Sequence, residues 1–178
     1  TARVGQSSSA NTAFTYGAGH VTGQFIVQRY LPAKRAWRLM TAPLKPGGGT
    51  HSINQAWQDG QGVGYDYATG SSPGGDTLTA GFATHITGGT TANGFDLSQK
   101  NNPSIFKFVP TGSSTFLNAG SWTAPANTNN TSINSERGWM LFVRGDRKNY
   151  GQITNQYKTP TITTLRPRGQ LNIGSVTI

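Results

Sequence analysis

Cysteine is absent from all 178 residues. Disulfides, thiolate metal sites and thiol nucleophiles are therefore excluded. The fold holds together without covalent staples, which leaves its redox compartment open. Negative charge is scarce as well, with 6 Asp+Glu against 15 Lys+Arg and a net charge of +9. Charged residues of both signs make up only 12% of the chain. Its solubility must rest on the hydroxyls and amides of Thr, Ser and Asn, a habit of extracellular β-proteins. No run of about 18 apolar residues is present, so no helical membrane span is expected. Blocks of like charge are missing too. The basic residues are scattered from Arg3 to Arg168 with no run of five, which argues against a nucleic-acid partner. Attraction to an anionic surface or glycan suits that distribution better.

Catalytic signatures are equally sparse. His20, His51 and His85 form no HxH, HxxxH or HExxH pair, so no metal site is expected. No P-loop, dinucleotide fingerprint or GxSxG elbow occurs, and no cofactor is expected. The acids are Asp59, Asp66, Asp76, Asp96, Glu136 and Asp146. A glycosidase needs two carboxyls across a sugar bond. Glu136 with Asp146, or Asp66 with Asp76, would be the pairs, but no spacing brings either together. The expectation is a protein that is not an enzyme.

What the chain does have is glycine, 24 residues of it, punctuating short apolar runs. The most informative run is 138–147, GWMLFVRGDR. Trp139, Leu141 and Val143 point one way and Met140 and Phe142 the other, the pattern of a strand covered on both faces. Strands are also expected at 21–31, 37–44, 82–86, 95–97, 104–109, 115–117, 120–123, 162–166, 170–173 and 176–178, separated by turn signals such as Asn93-Gly94. One helix is expected, over 51–59 with Thr50 as its cap, because Ile53, Ala56 and Trp57 fall on one helical face. A long irregular loop follows over 60–81, and 148–157 reads as a polar connection. The fold class predicted is all-β: an antiparallel β-sandwich, jelly-roll-like, with one short helix near 51–59. The domain division is an N-terminal arm or edge segment over 1–20 and a single sandwich over 21–178. A chain this long buries roughly 70% of its unfolded surface as one domain.

Two groups of residues are candidates for function. Arg144, Asp146 and Arg147 end the 138–147 strand and are expected to form an ion-paired corner with groups such as Glu136 or Asp96. Arg144-Gly145-Asp146 also spells an integrin-recognition tripeptide, but it follows a buried strand directly. The second group is aromatic. Tyr65, Tyr67 and Trp122, with Asp66 between the tyrosines, lie in or beside polar segments and could stack on sugar rings while Asp66 and loop amides supply hydrogen bonds. Tyr150 and Tyr157 belong to the same class.

Six blocks in order carry a family resemblance: 35–45 (RAWRLMTAPLK), 52–58 (SINQAWQ), 81–88 (GFATHITG), 93–96 (NGFD), 102–106 (NPSIF) and 138–147. Together they resemble a β-rich module of large secreted proteins of Bacteroidota, typically exported by type IX secretion, many of them surface or adhesin-like. The similarity spans about residues 25–170. It implies export, a cell-surface or extracellular place, and a non-catalytic structural or adhesive role; it assigns no catalytic residue. Such modules normally sit in longer chains with a C-terminal sorting domain, whereas this sequence starts at Thr1 and stops at Ile178. It therefore reads either as a fragment or as a processed subunit working free or polymerised. In the second case the arm and residues 176–178 could each add a strand to a neighbouring sandwich, and non-closing addition makes fibres. The partners expected are copies of itself or flanking domains. Glycans are the partners under the alternative reading, a carbohydrate-binding module.

Overall fold

A computed structural model of the protein describes residues 3–6, 23–46, 49–60, 78–110, 120–135 and 138–172. The chain is all-β, built from two antiparallel sheets, and is a β-sandwich. The first sheet holds β1 (Arg3–Gln6), β2 (Phe25–Leu31), β7 (Thr163–Leu165) and β8 (Arg168–Gly169). The second holds β3 (Ala36–Met40), β4 (Ile105–Pro110), β5 (Gly120–Thr123) and β6 (Trp139–Val143) in the order β3-β6-β4-β5. In the first sheet β1 lies antiparallel to β2, pairing Arg3 with Gln28 and Gln6 with Phe25. Strands β7 and β8 follow β2 as one interrupted run. Pro167 separates them: it cannot donate to the ladder, while the Arg166 N–H turns away to the carbonyl of Ala56.

The two sheets bury a common core. Val27, Leu31 and Leu165 come from the first, and Met40, Ile105, Trp139, Leu141 and Val143 from the second. Helix α1 (Ile53–Trp57) closes it with Ile53, Ala56 and Trp57, the predicted face. Trp57 meets Trp139 edge-to-face, ring centroids 6.4 Å apart, a geometry worth about 0.5–1.5 kcal/mol beyond burial.

Several element boundaries differ from the sequence reading for identifiable reasons. The helix cap is Ser52 rather than Thr50. Ser52 and Gln55 form a reciprocal capping box, while the Thr50 hydroxyl donates to the Lys45 carbonyl and closes the preceding turn. Residues 82–86 and 95–97 are extended loops, not strands, apart from a single bridge from Phe82 to Thr164. The Asp96 N–H donates to the Ile86 carbonyl, but the Ile86 N–H is answered by the Asp96 carboxylate instead of a main-chain carbonyl. A side chain thus takes the place of the ladder. Residues 170–172 contribute only a bridge between Leu171 and Leu44. The 148–157 connection holds a one-turn helix α2 (Gly151–Thr154), too short to carry apolar periodicity. The strands expected at 115–117 and 176–178, and most of the 60–81 loop, lie outside the described residues.

Candidate functional site

Strand β6 is an inner strand, flanked by β3 and β4. Trp139, Leu141 and Val143 are buried as the alternation predicts. Its other face is only half covered, which corrects the expectation of a strand sealed on both sides. Register puts Trp37 opposite Phe142 and Leu39 opposite Met140. It also puts Phe106 opposite Met140 and Phe108 opposite Trp122. Cross-strand partners share a face, so Trp37, Leu39, Phe106, Phe108, Trp122, Met140 and Phe142 all lie on the outer side of one sheet. Leu39 is 71% exposed, Trp37 45%, Trp122 43% and Phe108 38%. The rings touch one another: Trp37 stands 5.2 Å from Phe142 and 5.7 Å from Phe106, and Phe108 is 5.4 Å from Trp122. Gly120 permits the last contact, because a Cβ there would collide with the Phe108 ring. Four strands at about 4.8 Å spacing and five residues of about 3.3 Å make a footprint of a few hundred Å². That is comparable with the largest apolar patch of an ordinary monomer, which is often a functional surface.

The charged end of β6 divides into separate roles. Gly145 has φ of 138°, a conformation an L side chain rarely adopts, and its open Cα lets Thr161 approach. Asp146 is buried; its N–H donates to Thr161 Oγ1 at 3.0 Å, and its carboxylate accepts from the Asn149 N–H at 3.0 Å. The integrin-like tripeptide is therefore folded into a turn, not displayed. Arg147 is fully buried with Asp96, Nη2 to Oδ1 at 3.0 Å and Nε to Oδ1 at 3.2 Å, while its Nη1 donates to the Gln58 carbonyl at 2.6 Å. Asp96 Oδ2 accepts from Gln58 Nε2 at 3.0 Å and the Ile86 N–H at 2.9 Å. Burial alone would raise the Asp96 carboxyl, but Arg147, His85 and the Arg147 and Ile86 hydrogen bonds outweigh it and hold it below its ordinary range. This cluster ties the end of α1, a loop and the end of β6 together, and its Gln58, Asp96 and Arg147 side chains are fully buried.

The remaining candidates disperse. Trp122 is on β5 in the outer face; Tyr65, Asp66 and Tyr67 lie outside the described residues, as do His20, Asp76 and Glu136. Asp59 pairs with Arg166, whose cation sits 4.0 Å over the Phe82 ring. His85 is fully buried. Among the described residues no group of three or more His, Asp or Glu comes together as a metal cage, and no two carboxylates face an open cleft.

One feature was not foreseen from the sequence. A cleft of about 620 Å³ opens at the end of β6, lined by Arg35, Lys100, Arg144, Phe142, Gln152 and Tyr157 among others, with no carboxylate in its described lining. Ala36 pairs with Val143, so the next position along each strand sets Arg35 opposite Arg144. Arg35 Nη2 donates to Gln152 Oε1 at 2.9 Å and the Asn155 carbonyl at 3.0 Å. The Arg144 cation lies 4.9 Å from the Phe142 ring centroid. Burial, then the repulsion of Arg35, lowers Arg144 to about 10. The available signal was the cross-strand alignment of two arginines 109 positions apart, and nothing local reveals such an alignment. No family model, no curated protein and no solved structure matches this chain.

Proposed function

We propose that this chain is a non-catalytic structural or adhesive module of a secreted bacterial surface protein, working through the outer face of its β3-β6-β4-β5 sheet. The observation carrying the reading is the apolar sheet face on which Trp37, Leu39, Phe108 and Trp122 are exposed beside half-buried Phe106, Met140 and Phe142. Among the described residues no second layer packs over this face, and large aromatic and aliphatic groups gain free energy when a second surface removes them from water. The occupant in this reading is a second copy or a flanking domain of the same protein. Fibre growth by strand addition takes the form of exchange, the Arg3–Gln6 pairing with β2 being made between chains instead of within one. The secreted setting rests on the six-block resemblance and on the low charge content.

The test is sedimentation velocity across a wide concentration range. Wild-type protein is expected to associate, and Trp37→Glu and Leu39→Lys each to weaken association about tenfold or more, since a charge at the centre of an apolar contact is left desolvated. A wild-type chain that stays monomeric at the highest attainable concentration would overturn the self-packing reading. A second reading is favoured by the Phe108–Trp122 pair at the sheet edge, an aromatic platform of the kind that stacks on sugar rings. Retardation in polysaccharide gels that disappears in Trp122→Ala, without self-association, would put glycan binding in its place.

A further inference from the structure

We propose that the cleft at the end of β6 is a binding site for an acidic sugar, its carboxylate or sulfate held between Arg35 and Arg144 and its ring against Phe142 or Tyr157. The site is separate from the self-packing reading and shares only Phe142 with that surface.

Like charges directly opposite each other on paired strands are destabilising. Here Arg35 and Arg144 continue the Ala36–Val143 register, yet no carboxylate among the described residues pairs with either. Each guanidinium also keeps one buried nitrogen without a hydrogen-bond partner among the described residues, Nε of Arg35 and Nη1 of Arg144. Among the described residues neither charge has an ion-pair partner: Asp96, which is committed to Arg147, acts on Arg144 only from a distance, and Arg35 has neutral acceptors alone. Lys100 adds a third cation to the same cleft. A local rule broken without an internal compensation is what a ligand site looks like in an otherwise consistent fold. An anion supplies the missing countercharge, and arginine forks match the planar geometry of carboxylate or the oxygens of sulfate.

The rest of the lining selects the body that carries the anion. Phe142 and the highly exposed Tyr157 offer flat apolar faces, while the exposed Gln99 and Asn102 offer amides; Gln152 is buried and holds Arg35 in place. Aromatic faces beside amide donors and acceptors suit a ring with C–H faces and equatorial hydroxyls. A volume of about 620 Å³ is within the range of pre-formed small-ligand sites. The net charge of +9 draws any polyanion weakly, so the test must separate the site from that diffuse field.

Affinity electrophoresis of the whole chain at physiological ionic strength, in gels of polygalacturonate, dextran sulfate and neutral dextran, makes that separation. Retention by at least one acidic polymer and not by dextran is expected. Arg144→Gln and, independently, Lys100→Gln should weaken it about tenfold, the loss expected when a charge-assisted hydrogen bond to an anion is removed. Arg29→Gln, on β2 of the other sheet, should leave it within about twofold although it removes the same charge. Lys100 is exposed, so Lys100→Gln remains informative if Arg144→Gln folds poorly. Equal weakening by Arg29→Gln would reduce the binding to diffuse attraction and overturn the site. Equal retention by neutral dextran would overturn the anionic requirement. Competition by inorganic sulfate as effective, per anionic group, as by the polymers would overturn the sugar.

Discussion

Asp96→Asn is expected to destabilise the protein by about 3–5 kcal/mol, the cost of removing one partner from a buried ion pair. The substitution barely changes volume, so the effect is electrostatic. Arg147 stays fully buried but loses the countercharge of the carboxylate, one oxygen of which accepts from both its Nε and Nη2. Of the two Asp96 oxygens, one faces those guanidinium donors and the other faces Gln58 Nε2 and the Ile86 N–H. An asparagine NH₂ must confront one of these donor sets, so a repulsive donor–donor contact is added to the lost charge. Against a typical total of about 5–15 kcal/mol, such a loss moves the urea midpoint far to the left. Arg147→Met should be damaging in the same way, since it strands a buried carboxylate. The pair Asp96→Leu with Arg147→Met should cost clearly less than the sum of the single changes, because apolar replacement of both partners removes the desolvation penalty together with the attraction. An Asp96→Asn protein within about 1 kcal/mol of wild type would show that the cluster is not what holds α1, the 84–96 loop and β6 together.

The same cluster illustrates what the sequence could reveal. Alternation in 105–110 and 139–143 identifies β4 and β6, and the i, i+3, i+4 spacing of Ile53, Ala56 and Trp57 identifies α1, because these are local consequences of pleat and helix geometry. That Arg147 needs a carboxylate was legible, since a guanidinium directly after a buried strand must be compensated. Which carboxylate was not fully legible: Asp96 is 51 residues away, and only the tertiary fold chooses among acids that share no periodicity. The outer sheet face departs from the sequence expectation for a related reason. Met140 and Phe142 alternate with buried residues, and one strand's pattern cannot distinguish a second covering layer from a flank of Trp37 and Phe106 in the same sheet. Register, not periodicity, assembles that surface, and the same is true of Arg35 opposite Arg144.

Acid sensitivity between pH 6.5 and 4 should disappear largely in His85→Phe. His85 is fully buried, neither ring nitrogen has a hydrogen-bond partner among the described residues, and its ring packs edge-on to Tyr150 at 6.2 Å. Burial pushes the imidazole down to about 4, with Asp96 working against the shift and Arg147, Arg144 and Arg35 adding to it. The unfolded chain takes up this proton near 6.5, the folded chain only near 4. Between those values the unfolded state binds more protons, so stability falls as pH is lowered through the window. At about 1.4 kcal/mol per unit the loss approaches about 3 kcal/mol by pH 4. His51, also lowered by burial, contributes a smaller slope of the same sign, which the variant retains. The Asp96 carboxyl, depressed in the fold, contributes stability that is lost only below the ordinary carboxylate range, so its effect begins where that of His85 ends. Phenylalanine fills a similar shape without the two unsatisfied nitrogens, and at neutral pH the variant should be as stable as wild type or more so. Urea denaturation of both proteins at pH 7, 5.5 and 4 gives the comparison, with the His85 ring followed by NMR to locate its titration. An unchanged acid slope in His85→Phe would assign the sensitivity elsewhere; a ring that titrates near 6.5 in the folded protein would mean that its burial is relieved by water or motion.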